Sequence, residues 1–258
     1  SLIGVYILEI VAIVKYRKAK LFSASFHRIF IVLAVVNILA CAVGTFVFRL
    51  PQYPLINQFY SGLTIVRPWL TAIYSAACYL NCLSEFLGLF LAFNRFSTLY
   101  FPTTHDRFWR WFLPMGVLIC LGTAFAPVYH IFDDSDSFVP AVDPQIEFTW
   151  YYLYGTSARP EISIWFNMVI VTLVCNGLSI FLYAACLVKL ALFSMSRNRT
   201  IERNFFLVGC VTMTFSLPYM AAMLFIGLNL SVPGAIVDAD AVTFVAFQLP
   251  WLTDLKWV

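Results

Sequence analysis

The sequence predicts an all-α integral membrane protein, a seven-transmembrane helix bundle, on three observations. Of its 258 residues 62% are apolar and 11% charged, whereas a soluble domain carries about 25% charged residues. Apolar runs of the ~20 residues needed to cross a hydrocarbon core recur along the chain. Lysine and arginine fall almost wholly on alternate loops. A membrane barrel would show short segments of alternating polarity instead, and none stands out.

The spans follow in order. Leu2–Val14 is apolar almost from the first residue. It has no basic region before it and no small-residue cleavage site after it, so it reads as an incomplete helix and not as a signal peptide. Ile29–Phe48, Trp69–Phe93, Phe112–Phe132, Ile162–Val188 and Phe205–Leu228 are long enough to span, and Ala241 opens a last, incomplete run. Residues 1–258 are therefore expected to form one seven-helix domain whose first and last helices are cut short. Pro51, Pro68, Pro102 and Pro160 punctuate span ends. Pro114, Pro127, Pro218 and Pro250 lie within spans, which membrane helices tolerate when neighbours satisfy the freed carbonyls.

Orientation follows from charge. The loops after spans 1, 3 and 5 hold basic residues from Lys15 to Arg28, from Arg95 to Arg110 and from Lys189 to Arg203, while the opposite loops hold only Arg49, Arg67 and Arg159. The positive-inside rule puts the first set in the cytoplasm and the amino terminus outside. The outer loops are acidic, with Asp133, Asp134, Asp136, Asp143 and Glu147 among them. The net charge of +3 is small.

In span 3, Tyr74, Cys78, Asn81, Glu85, Gly88, Ala92 and Arg95 recur at alternating steps of four and three. That spacing lines one helix face with little drift. The remaining positions are mostly Leu and Phe, so the small and polar stripe is expected to face the bundle and the leucines to face lipid or neighbouring helices. Tyr74, Cys78 and Asn81 occupy its outer half, level with Pro218 in span 6, and form the candidate small-molecule site. Gly88, Ala92 and Asn81 also suit plain close packing. An intramembrane carboxyl such as Glu85 costs a few kcal/mol unless neutralised or paired. With no basic residue in the apolar part of another complete span, it is expected to be neutral or bonded to an amide such as Asn37 or Asn176. Such a contact serves structure or switching. The seven cysteines all lie in apolar spans and read as small packing residues.

Asn94-Arg95-Phe96, followed by Tyr100-Phe101-Pro102 and His105, resembles the third-helix motif of nematode serpentine chemoreceptors of class gamma, with class V the next most similar. Leu249-Pro250-Trp251-Leu252-Thr253-Asp254-Leu255 resembles the opening of their seventh helix. More distantly the chain is similar to rhodopsin-like receptors. That resemblance implies that Arg95, with Asn94 beside it, engages a G protein at the cytoplasmic mouth. It also implies a polar switch cluster from Asn37 and Ser84, to which Glu85 and the Pro218 kink add. Asn94 cannot make the ion pair that an acid before the arginine makes in such receptors. No cysteine is placed for their outer disulfide, and Phe215-Ser216-Leu217-Pro218 replaces their sixth-helix motif.

The expected function is a chemosensory G-protein-coupled receptor. A transporter or channel is the alternative, although the single amides of the complete spans outline no continuous polar path. His27, His105 and His130 are scattered, so neither an enzyme nor a metal or cofactor site is expected. The expected partners are a small-molecule ligand, a heterotrimeric G protein and the bilayer, with no nucleic acid. The expected location is the plasma membrane, with the sensory cilium as candidate compartment.

Overall fold

Among the described helices, the start of Pro68–Tyr100 and the end of His105–Phe125 fall at prolines. The computed structural model describes residues 4, 7, 11, 24–65, 67–143, 148–156, 164–192, 214 and 217–225. Helix α1, Ala24–Gly44, continues through a π-helical turn, Thr45–Arg49. Two 3-10 turns opened by Leu50-Pro51 and Pro54 then lead to the short helix α2, Asn57–Ser61. Helix α3 runs for 33 residues, Pro68–Tyr100. Pro68 opens it, where the missing N–H would have had no intrahelical partner. The Phe101 N–H closes it on the Ser97 carbonyl at 2.9 Å, and Pro102 follows. At 1.5 Å per residue α3 is about 50 Å long, well beyond a ~30 Å hydrocarbon core.

Helix α4, His105–Phe125, lies seven residues earlier than the predicted span Phe112–Phe132. The reason is Pro127, which the sequence reading placed inside the span. Ala126 is still helical, but Pro127 has no N–H to give the Thr123 carbonyl and its ring crowds that carbonyl, so α4 stops at Phe125 and the chain turns through a 3-10 segment, Tyr129–Asp133. The stretch read as an acidic loop is instead an antiparallel hairpin of β1, Ser135–Asp143, and β2, Phe148–Thr156, with Ser135 opposite Thr156 and Asp143 opposite Phe148. β2, FTWYYLYGT, is rich in the aromatic residues that favour strands. Helix α5, Ile164–Leu192, matches its predicted span closely. Residues 217–225 are helical. Most of span 1, much of span 6 and all of span 7 lie outside the described residues. Four described helices are long and apolar enough to cross a membrane.

α3 is the axis, packing against α1, α4 and α5. The core joins Ile29 and Leu33 of α1, Cys82, Leu87 and Phe90 of α3, Trp109 of α4, Val169 of α5, and Met223. Leu83 and Leu87 were expected at lipid or a neighbouring helix, and neighbours take them: both are buried. With helices on three sides α3 buries more than one stripe, and the exposed apolar side chains lie on other helices, such as Trp111 and Leu118 of α4 and Phe181 of α5. Lipid tails are as apolar as leucine, so close packing and interhelical hydrogen bonds hold such a bundle. Gly116 is one such approach, because a Cβ there would overlap the Phe90 ring.

The hairpin is tied down at its first strand. Phe138 packs edge-on against Tyr60 with centroids 4.8 Å apart, and its N–H donates to the Leu63 carbonyl at 3.2 Å. The Tyr60 hydroxyl donates to the Phe46 carbonyl at 2.8 Å. Burial pushes that phenol up to about 12, so it stays a donor at any physiological pH.

Candidate ligand and signalling sites

Three levels of polar contact run along α3. At the hairpin end, the Tyr74 hydroxyl and the Cys78 thiol lie within electrostatic reach of each other and of Asp136 on β1. The Tyr74 ring also meets Phe48 edge-on, at 6.2 Å between centroids. Thr71, one turn earlier on α3, donates to the Asp134 carbonyl at 3.3 Å and accepts from the Asp136 N–H at 3.3 Å. Tyr74 and Cys78 are thus brought together beneath the hairpin. Asn81, the third residue of the predicted site, is half-buried and makes no hydrogen bond among the described residues. Its neighbour Cys82 takes the buried position.

At mid-depth, the Ser84 hydroxyl donates to Asn37 Oδ1 at 2.6 Å, tying α3 to α1. Asn176 Nδ2 donates to Glu85 Oε2 at 2.9 Å and to the Thr172 carbonyl at 2.8 Å, tying α3 to α5. Of the two amides the sequence offered Glu85, Asn176 makes this bond and Asn37 accepts from Ser84. Pro218 is exposed at the start of the helical residues 217–225, while Tyr219 and Met223 beside it are buried. The residues preceding it that would define a kink lie outside the described set.

The third level surrounds Asn94, which is fully buried. Its Nδ2 donates to Ser25 Oγ of α1 at 3.0 Å. Its carbonyl accepts from Ser97 Oγ at 2.9 Å and from Thr98 Oγ1 at 2.8 Å. Trp109 Nε1 of α4 donates to Ser97 Oγ at 2.7 Å. His105 bridges the cluster, with Nδ1 3.1 Å from Ser97 Oγ and Nε2 3.3 Å from Ser25 Oγ. With its hydrogen on Nδ1 the imidazole donates to Ser97, whose own proton goes to the Asn94 carbonyl. Arg95 is half-buried, its guanidinium 3.5 Å from the centroid of the Phe26 ring on α1. A groove of about 320 Å³ opens beside the cluster, lined by Phe93, Ser97, Phe101, Thr104, His105 and Phe108.

Sequence reasoning did not single out Ser25, Trp109, Thr71 or Asp136. His105 and Trp109, four apart and therefore on one helix face, carried a readable signal; Thr71 and Asp136 carried none, because nothing local joins residues 65 positions apart. Among the described residues no group of three or more His, Cys, Asp or Glu side chains is placed to hold a metal ion.

The chain matches the Srg family, described as chemoreceptors, over residues 2–246. It is similar to serpentine receptor class gamma-8 of Caenorhabditis elegans, at 30% identity over 90 residues, which is 34% of this chain and 28% of that relative. The class-gamma resemblance carried by Asn94-Arg95-Phe96 and the match along nearly the whole chain agree: this chain belongs to the Srg family of chemoreceptors.

Proposed function

We propose that the chain is a chemosensory receptor that takes a small molecule at the hairpin end and signals through a heterotrimeric G protein at the Arg95 end. The supporting observation is the set of interhelical polar contacts. Ser84–Asn37, Asn176–Glu85 and Asn94–Ser25 join α3 to α1 and α5 at successive depths. Packed helices joined this way move between discrete arrangements. A ligand touching Tyr74 and Cys78 therefore acts on the helix that carries Arg95. The charge asymmetry of the loops supports an outward amino terminus and an inward Arg95 end, in a multi-pass plasma-membrane protein.

The Arg95 guanidinium lies over an aromatic ring, and position 94 beside it is an amide turned to Ser25. A cation over an aromatic ring contributes about 0.5–2 kcal/mol, a restraint that a partner's carbonyls can displace. Arg95→Ala is expected to reduce second-messenger output at least about tenfold at equal surface density, with ligand binding retained. Full signalling by the variant would leave the arginine as an interfacial anchor and refute the coupling role.

A further inference from the structure

We propose that Asp136, together with Ser75 and Tyr74, recognises a small cationic cue, a primary ammonium carried on an apolar body. The proposal rests on the receptor reading above and gives that site its ligand class. Asp136 is fully buried, and neither of its carboxylate oxygens has a hydrogen-bond partner among the described residues. Ser75 Oγ is likewise buried without a partner. Ser75 lies four residues after Thr71, so it is one turn deeper on the same face of α3.

The backbone holds Asp136 in this position. Its N–H is bonded to Thr71 Oγ1, whose single proton goes to the Asp134 carbonyl. Two residues on, Phe138 is pinned to Leu63. Residues two apart on a strand share a face, and both Asp136 and Phe138 are fully or almost fully buried. Among the described residues the charged group acting on the carboxyl is Asp134, and no lysine or arginine faces it.

A buried carboxylate without a counter-charge is expensive by several kcal/mol, and a cation is the partner that removes most of that cost. An ammonium group has three N–H donors. The orphaned acceptors are also three: the two oxygens of Asp136 and the hydroxyl of Ser75. Tyr74 adds an aromatic face that attracts a cation, and Cys78 and Phe48 supply apolar contact for the body of the molecule. A neutral alcohol could use the acceptors without cancelling the charge, and a carboxylate would be repelled.

The test uses the intact chain in lipid nanodiscs and three phenyl probes of similar shape: phenethylammonium, 3-phenylpropanol and 3-phenylpropionate. Phenethylammonium is expected to raise the thermal midpoint dose-dependently, with the alcohol weaker and the carboxylate inert. Asp136→Asn should weaken the ammonium at least about tenfold, the loss of a charge-assisted contact, and Ser75→Ala by less. Because the wild-type comparison needs no variant, it stands even if Asp136→Asn folds poorly. Equal shifts from ammonium and alcohol, no shift from the ammonium, or an unchanged response in a folded Asp136→Asn would overturn the proposal. A neutral or anionic cue that signals through Arg95 with no ammonium binding would sink the ligand class and leave the receptor reading intact. Ammonium binding without any second-messenger response would do the reverse.

Discussion

Replacing Glu85 by leucine removes an acceptor from the middle of the bundle. Asn176 commits both amide hydrogens, one to Glu85 Oε2 and one to the Thr172 carbonyl. At 3% exposure it has little access to substitute partners, and leucine offers none. A buried donor left unsatisfied costs about 1–3 kcal/mol. The pair's own coupling in a membrane protein averages about 0.6 and reaches about 1.7 kcal/mol. A loss near 2 kcal/mol in a domain of this size lowers the thermal midpoint by roughly 4–8 °C. Glu85→Gln keeps the shape and one acceptor oxygen, so it should cost clearly less. The assay is the apparent midpoint of wild type, Glu85→Gln, Glu85→Leu, Asn176→Leu and the double leucine variant in nanodiscs. The double variant should lose less than the sum of the singles, by about the coupling energy. Additivity within about 0.3 kcal/mol, or a Gln variant as unstable as the Leu variant, would refute the assigned contact.

Three further outcomes follow from the packing. Gly116→Ala must displace the Phe90 ring, which sits 5.0 Å from Trp109, and should cost about 1–3 kcal/mol; an unchanged melting curve would contradict the approach of α3 and α4. Asn94→Asp removes the donor to Ser25 and buries a charge whose Oδ1 position has no partner. Surface expression should therefore fall, by an amount matching about 1–3 kcal/mol, and Asn94→Asp receptors as abundant as wild type would disprove it. Burial pushes the Asp136 carboxyl above its ordinary range, with the Asp134 charge adding; Tyr74 and Cys78 also face it. Its raised value means the docked hairpin binds the proton more tightly than the undocked chain, so docking is strongest below about pH 4 and weakens as pH rises through the raised value. Hydrogen exchange at the Phe138 N–H should speed up over that interval beyond its intrinsic trend, and Asp136→Asn should remove the excess. Identical slopes in the two proteins would count against it.

The sequence by itself determined what depends on local chemistry. Hydropathy and charge placed a helical membrane bundle, located α1, α3 and α5 to within a few residues at most of their ends, and required a polar partner for Glu85. The Asn94-Arg95-Phe96 motif pointed to the family. Tertiary structure alone decided which distant groups meet. Glu85 bonds Asn176, 91 positions away, because α3 packs against α5, while Ser84 beside it bonds Asn37 of α1. Hydropathy reports how apolar a window is and carries no register between windows, so it could not choose between two amides. It also missed the hairpin and read α4 seven residues late, since Ala126–Phe132 holds no Asp, Glu, Lys or Arg to mark an end while Pro127 has already ended the helix. Asp136 shows the limit most plainly. In the sequence it is one of several acids in a polar stretch; only the docking of Phe138 on Tyr60 and of Thr71 on the strand backbone turns it inward over Tyr74 and Cys78.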